Sequence, residues 1–382
     1  TKLVSDTKQA NKTFYRTERL EAQTGNDSMK FNYNGISQFS SIRNTASSST
    51  LDRLGFKSEG TNLNLRYQNN TIIADSLFGI KYNLSNFDLN KYGFNHVTSE
   101  KTMGLYQNNN ASQLAILTDG IYKNIDFTVN TLDNQTSLLN ALSGLNLTYF
   151  KRAPSQLFDQ DAKSLNQRVA KNVSNSNKDF VTITYRVIAP PHSQLYVSVP
   201  NISWSDDNNH SLSITVNGVT RNQVTDNTFD FFDLGYFETE SMVTIKLSFP
   251  GNKAISFDNP SFYALDTQNY QIAMDTINER DSKVTTSNNK VFVDYSSKTN
   301  ASLFFTIPYD KGWTATINHK KVKIQRAQKG FMKVDVPSGK GKVVLTFIPY
   351  GLKTGLVISL LASIIFCCYA YFIRKITVIQ KR

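Results

Sequence analysis

Asp159-Gln-Asp161 is an arrangement that can share one divalent cation between two carboxylates on the same side of a turn. Such a cation can hold the phosphates of a sugar nucleotide. The same three residues, a few positions after Pro154, also fit a solvated loop. Asp230 and Asp233 flank two phenylalanines and read as outward-facing polar positions of a strand. His96, His192, His210 and His319 lie far apart and show no metal-ligand spacing, so no metal site is assigned. The chain contains no G-x-S-x-G, H-E-x-x-H, G-x-x-x-x-G-K or G-x-G-x-x-G, the signatures of common hydrolase, zinc-protease, P-loop and dinucleotide chemistries. Trp204, Trp313, Tyr309 and Tyr350 present flat faces on which sugar rings can stack.

The elements that must carry these residues fall into two regions. Residues 1 to about 175 mix strand-like runs with short helical patterns. In Thr136 through Leu145, the leucines 138, 139, 142 and 145 share one helical face, and Gly144 offers a stop. A second helical candidate runs into Leu51, Leu54 and Gly55. After residue 178 the pattern alternates, as in Val181-Thr-Ile-Thr-Tyr-Arg-Val187, and no helical periodicity is read until the C-terminal apolar segment. This β region repeats itself. Leu195-Tyr-Val-Ser-Val-Pro200 matches Leu303-Phe-Phe-Thr-Ile-Pro308, and Thr215-Val-Asn-Gly218 matches Thr316-Ile-Asn-His319. Phe229 to Leu234 matches Phe331 to Val336, and Ile245 to Phe249 matches Val343 to Phe347. Each copy carries one of the two tryptophans, and this shared placement favours a core role over sugar stacking. Asn217-Gly218 suits a two-residue type I′ turn. The expected fold is an α+β N-terminal region, two tandem antiparallel β-sandwich domains and a single C-terminal transmembrane helix. The expected domains are 1–175, 176–275 and 276–350, with the helix at 351–373 and a basic tail at 374–382.

The helix follows from twenty uncharged residues between Thr354 and Ile373, which span about 30 Å as a helix. Arg374, Lys375, Lys381 and Arg382 follow it, so the tail is expected in the cytoplasm and the bulk outside. Cys367 and Cys368, the only cysteines, lie within the segment and read as apolar filler. The bulk therefore has no disulfides, which suits an extracytoplasmic protein of a bacterium that makes few of them. The net charge of +12 favours polyanionic partners, and outside a bacterial cell these are wall polymers and anionic headgroups rather than nucleic acid. Scattered solvated lysines are the plainer reading of that charge, because no block of five or six like charges occurs. No signal peptide follows Thr1, so an export signal or membrane span is expected upstream.

Tyr15-Arg16-x-Glu18, Asn26-Asp27, Tyr33-Asn34-Gly35-Ile36-Ser37-x-Phe39-Ser40-Ser41 and Leu77-Phe78-Gly79-Ile80-Lys81-Tyr82 together resemble the outer region of YfhO-family bacterial membrane proteins. Ile307-Pro308-Tyr309-Asp310-x-Gly312-Trp313-x-Ala315, Phe331-Met332-x-Val334-x-Val336-Pro337-x-Gly339 and Pro349-Tyr350-Gly351 resemble its last domain in order and spacing. The chain departs from that pattern at two turns: Asn318-His319 stands for the usual Asp-Gly, and Ser338-Gly339-Lys340-Gly341 for the usual Ala-Gly-x-His.

The resemblance implies a GT-C-like polytopic membrane glycosyltransferase that takes sugar from a polyprenyl-phosphate carrier and passes it to a cell-wall polymer, teichoic acid, on the outer face. In such chemistry a carboxylate in an early outer loop acts as base on the acceptor hydroxyl. That loop is expected upstream, so no catalytic residue is assigned here, and no cofactor is named. The present portion is expected to bind or orient the acceptor, with Arg16, Asp27, Lys81 and Tyr82 as glycan or phosphate contacts. The alternatives are a non-catalytic, membrane-tethered module that binds wall polymer and the outer domain of a transporter subunit.

Overall fold

Alternation of apolar and polar residues dictates most of the architecture. In strand Phe180–Ala189, Val181, Ile183 and Val187 turn inward, and in Ser241–Pro250 so do Val243, Ile245, Leu247 and Phe249. The structure, a computed structural model, describes residues 2–42, 44–56, 64–67, 70–160, 165–168, 171–174, 180–204, 210–225, 231–250 and 255–379. It contains an α+β N-terminal region, two β-sandwiches and one terminal helix.

The N-terminal sheet runs in the order Arg16–Arg19, Ile80–Ser85, Met103–Asn108, Phe94–Glu100, with its first pair parallel and the others antiparallel. Helix Lys2–Ala10 covers one end of it through Leu3 and Val4. Helix Thr131–Ser143 forms where the leucine pattern predicts. Asn130 caps its first turn by accepting from the N–H groups of Leu132 and Asp133, and Gly144 ends it at φ 78°.

The first sandwich pairs a sheet ordered Val219–Thr225, His210–Val216, Ser241–Pro250, Phe180–Ala189, Ser155–Gln160 with one ordered Phe231–Phe237, Ser193–Ser198, Ser261–Asp266, Phe150–Arg152. The second repeats the scheme. Lys320–Val322, Trp313–Ile317, Gly339–Phe347, Lys290–Ser297 and Ser282–Ser287 form one sheet, and Phe331–Val336, Ala301–Pro308 and Ala115–Leu117 lie in the other. The internal repeat is thus a repeat of topology. The paired turns agree: Asn217 and Gly218 have φ 47° and 89°, and Asn318 and His319 have φ 47° and 68°. Asparagine tolerates this left-handed backbone better than most residues, and its histidine partner adopts the same turn. Strands from the first 175 residues complete both sandwiches.

The region after residue 178 also contains a helix that periodicity did not flag, Thr267–Asn278. Asp266 caps it by accepting from Gln268 and Asn269 at 3.0 Å each, and Tyr270, Ala273, Met274 and Ile277 bury one face. That face joins the N-terminal core rather than a sandwich core. The same core takes one residue from the central strand of each sandwich. Leu195 and Val197 point into the first sandwich while Tyr196 between them points out, and Leu303, Phe305 and Phe304 do the same in the second. The N-terminal region therefore sits across the outer faces of both sandwiches.

Helix Leu352–Ile379 leaves the second sandwich directly. Its stretch Leu352–Arg374 is long and apolar enough to cross a membrane, and its most apolar window packs against nothing else in the protein.

Candidate functional site

Strand Arg16–Arg19 organises the polar heart of the N-terminal region. Arg16 is buried, and its guanidinium donates to Phe78 O at 2.6 Å, Thr306 O at 2.8 Å and Thr306 Oγ1 at 3.2 Å. It ties the N-terminal sheet to the second sandwich. Burial lowers its pKa to about 10, with the Glu18 carboxylate opposing. Glu18 is also buried and accepts from Ile36 N, Ser37 N and Ser37 Oγ. Burial pushes its pKa up to about 7 despite these donors. A carboxyl poised there is of the kind used in acid–base catalysis, but both of its oxygens are occupied by the segment it fastens.

Beyond this strand the chain turns through Leu20–Gly25, and Asp27 shapes the turn. Its Oδ2 accepts from Gln23 N and its Oδ1 from Thr24 N and Thr24 Oγ1, all at 2.8 Å. Asp27 itself is buried. The loop it holds borders a cavity of about 310 Å³, whose other walls include Ser37, Arg66, Tyr67, Asn222 and Gln223. Gln23 also lines a second cavity of about 310 Å³, together with Lys2, Arg19, Asn86 and Lys101. Amides, hydroxyls and cations, together with the carboxylates of Glu21 and Glu100, thus surround two adjoining hollows with apolar floors at Leu20, Leu65 and Leu84, and Lys2 is paired with Glu100 at 3.0 Å. In the second, Arg19 Nε is buried and has no hydrogen-bond partner. An unmet buried donor on a cation is costly unless something outside the chain meets it.

A chain of buried polar groups stands behind the first cavity. Ser37 Oγ accepts from Tyr67 N at 3.0 Å; the Tyr67 hydroxyl donates to Asn83 Oδ1 and accepts from Lys91 Nζ, each at 3.2 Å. Lys91 pairs with Asp75, and both side chains are fully buried. Its ammonium also lies 4.7 Å from the centre of the Phe94 ring. Burial raises the Asp75 pKa to about 6, with Lys91 opposing.

Lys81 and Tyr82 form a separate cluster on the neighbouring strand. Lys81 Nζ donates to Asn11 Oδ1 at 2.6 Å, and burial lowers its pKa. The Tyr82 hydroxyl accepts from Asn11 Nδ2 at 2.9 Å and donates to Gln107 Oε1 at 3.3 Å, while its ring meets Tyr15 edge-on at 5.4 Å.

The four residues expected to touch ligand therefore do not converge on one surface. Lys81 and Tyr82 share a cluster, Asp27 shapes a cavity wall, and Arg16 spans a seam between domains. The residues that line the cavities, Gln23, Arg19, Arg66, Asn222 and Gln223, were not foreseen. No sequence signal joins the last two to Gln23, because they arrive on the hairpin strand Val219–Thr225 of the first sandwich.

Asp233 corrects an expectation. It does not face outward but is buried, with Oδ2 accepting from Gln194 Nε2 at 2.8 Å, because the N-terminal region covers that face of the sandwich. Asp159 is exposed, whereas Asp161 and Asp230 lie outside the described residues. Among the described residues no group of histidine, cysteine and acidic side chains could hold a metal. Trp204 is buried in the first core, and Trp313 is half-buried against Phe347 at 5.0 Å.

Two solved structures show partial likeness. A Paenibacillus sp. cycloisomaltooligosaccharide glucanotransferase is 7% identical, covering 55% of this chain and 50% of its own at a TM-score of 0.23. The conserved protein PA5104 of Pseudomonas aeruginosa PAO1 is 10% identical, covering 52% and 90% at a TM-score of 0.15. Scores this low carry no argument about fold or chemistry. A curated relative, described as uncharacterized protein YfhO of Bacillus subtilis strain 168, is 25% identical over 135 residues. The match covers 33% of this chain and 16% of that protein, so the chain spans about a sixth of its relative's length. The family model described as bacterial membrane protein YfhO matches residues 1–359. With a span-length apolar helix at its end and that match over nearly its whole length, the chain belongs to the YfhO family of bacterial membrane proteins.

Proposed function

We propose that this chain is the outer portion of a membrane glycosyltransferase that takes sugar from a polyprenyl-phosphate carrier, and that it holds a teichoic-acid-like acceptor in the two cavities meeting at Gln23. The buried, unmet Nε of Arg19 is the observation that carries this reading. A phosphodiester oxygen would satisfy it, and the amides of Gln23, Asn222 and Gln223 suit polyol and sugar hydroxyls. Asp27 and Glu18 act as positioning residues, the first by fixing the loop 23–24 and the second by fixing Ser37. Lys81, held by Asn11 beside Tyr82, supplies a further cationic contact along the polymer. Arg16 contributes by holding the N-terminal sheet to the second sandwich. Restricting a flexible polyanion in this way lowers the entropic cost of presenting one hydroxyl to a membrane-embedded site. The bulk then lies outside the cell, with the basic tail inside.

The test is to replace Arg19 and Arg66 by alanine in the full-length protein in its own membrane and to measure sugar on purified wall polymer alongside protein abundance. Reduced modification at unchanged abundance is expected. Unchanged modification would end the proposal. If the wild-type protein binds wall polymer but transfers no sugar in a reconstituted system containing the lipid-linked donor, the tethered binding module replaces the transferase.

A further inference from the structure

A small cavity of about 300 Å³ opens where the second sandwich meets the terminal helix, lined by Tyr309, Asp310, Lys311, Arg326 and Tyr350. Tyr350 is exposed and stands two residues before Leu352, where the helix begins. A cavity so placed lies level with the lipid headgroups once that helix is in a bilayer, whichever side the bulk occupies. Tyrosine favours that depth.

Its two cations are oriented by aromatic rings rather than by carboxylates. The Arg326 guanidinium lies 4.4 Å from the Tyr309 ring centre and Lys311 Nζ lies 5.6 Å from that of Tyr350. Neither is in an ion pair among the described residues. Asp310 uses Oδ1 to accept from Gly312 N at 2.6 Å, leaving the cavity with one net positive charge.

The walls are fixed. Tyr309 N donates to Gly330 O at 2.9 Å, Asn44 Nδ2 donates to Tyr309 O at 2.6 Å, and Ile348 N donates to Gly312 O at 3.0 Å. Gly312 packs so closely on Ile348 O that a side chain there would collide with backbone. The backbone frame that carries the two cations is thus preorganised, which cuts the ordering cost of binding.

We propose that this cavity binds the phosphate of a membrane lipid, with Arg326 and Lys311 contacting its oxygens and Tyr309 and Tyr350 walling the headgroup. This site is distinct from the Gln23 cavities, so its failure would leave the acceptor reading standing, and the reverse.

The test uses the full chain in detergent micelles, with retained lipid read by native mass spectrometry. The probes are phosphatidylglycerol, a polyprenyl phosphate, phosphatidylcholine and inorganic phosphate. At least one of the two anionic lipids should be retained well above phosphatidylcholine, and the tighter of them identifies the lipid the site takes. Lys311→Gln and Arg326→Gln should each weaken that retention roughly fivefold, and Asp310→Asn should strengthen it. Both cations are exposed, so unchanged thermal unfolding midpoints should accompany the loss. Retention unaltered by either glutamine variant, an Asp310→Asn variant that binds no better, or inorganic phosphate bound as well as the lipids would each overturn the proposal.

Discussion

Gln194 and Asp233 form the same joint in the first sandwich that Ser302 and Asp335 form in the second. Gln194 Nε2 donates to Asp233 at 2.8 Å and its Oε1 accepts from Tyr92 N at 2.9 Å. Ser302 Oγ donates to Asp335 at 2.6 Å and accepts from Tyr122 N at 2.9 Å. Both pairs fall at matching positions of the internal repeat, so each sandwich grips the N-terminal region with one polar side chain and one aspartate. The two aspartates nevertheless hold their protons differently. Burial dominates at Asp233 and raises its pKa to about 6, with Lys91 and Arg221 opposing. Burial also pulls Asp335 upward, but Ser302, Lys333 and Gln325 outweigh it and hold that carboxyl below its usual range.

This difference gives the fold a pH signature. Asp75 and Asp233 have pKa values raised to about 6 and Glu18 to about 7, all above their ordinary values near 4. A carboxyl with a raised native pKa binds protons more readily when folded. Its contribution is therefore fully present below the unfolded pKa and is lost as pH rises through the native one. Stability to urea should fall from about pH 4 to about pH 8 and then level off. Asp233→Asn removes one of these titrations, so its curve should be shallower across that window. An identical slope in the variant would remove Asp233 from the account.

Lys91 is the cation that the two buried aspartates share. Lys91→Met would leave carboxylates buried without it, and loss of one partner of such a pair costs about 3–5 kcal/mol. The double variant Lys91→Met, Asp75→Leu should recover part of that loss, since Asp233 alone is then left without the cation, with Arg221 still opposing its burial. Urea midpoints of the two variants and the wild type decide it: a double variant no better than the single one would mean the pair is not the source.

How far the sequence disclosed this arrangement depended on whether a segment faces one layer or two. The sandwiches, the repeat, helix Thr131–Ser143 and the terminal helix were legible, because each presents one apolar face or is apolar all round. Strand Ala301–Pro308 is buried on both faces, and its unbroken Leu303-Phe304-Phe305 was the available sign that a further layer covers it. Helix Thr267–Asn278 was legible in principle from Asp266 and the spacing of Tyr270, Ala273, Met274 and Ile277, but these four buried apolar positions sit among polar residues in a β-rich stretch. The cavities were beyond reach, since Gln23 and Asn222 meet only through the docking of one domain on another.

Gly79 shows what the motif Leu77-Phe78-Gly79-Ile80-Lys81-Tyr82 requires. Its φ is +63°, and an added Cβ would stand 2.8 Å from Ser112 O. The left-handed backbone alone costs an ordinary residue about 1–2 kcal/mol, and Ser112 is held there by donating its N–H to Ser76 O at 2.8 Å. Gly79→Ala should lower the unfolding midpoint by more than that backbone term. A variant within about 0.5 kcal/mol of wild type, the range of a surface substitution, would show that the turn relaxes freely.

Arg16 separates a fold role from a ligand role. Its three hydrogen bonds run to Phe78 and Thr306, and none reaches the cavities at Gln23. Arg16→Ala would leave the carbonyls of Phe78 and Thr306 without these donors, and hydrogen bonds to a charged group are worth about 1.5–3 kcal/mol each. Stability should therefore drop, with Arg16→Lys intermediate because a point charge cannot serve both carbonyls as the planar fork does. Binding of isolated teichoic acid, measured below the unfolding transition and per folded molecule, should stay at the wild-type level in Arg16→Ala and fall in Arg19→Ala. If Arg16→Ala instead kept full stability while losing polymer affinity, Arg16 would be a ligand contact and the cavities at Gln23 would cease to be the acceptor site.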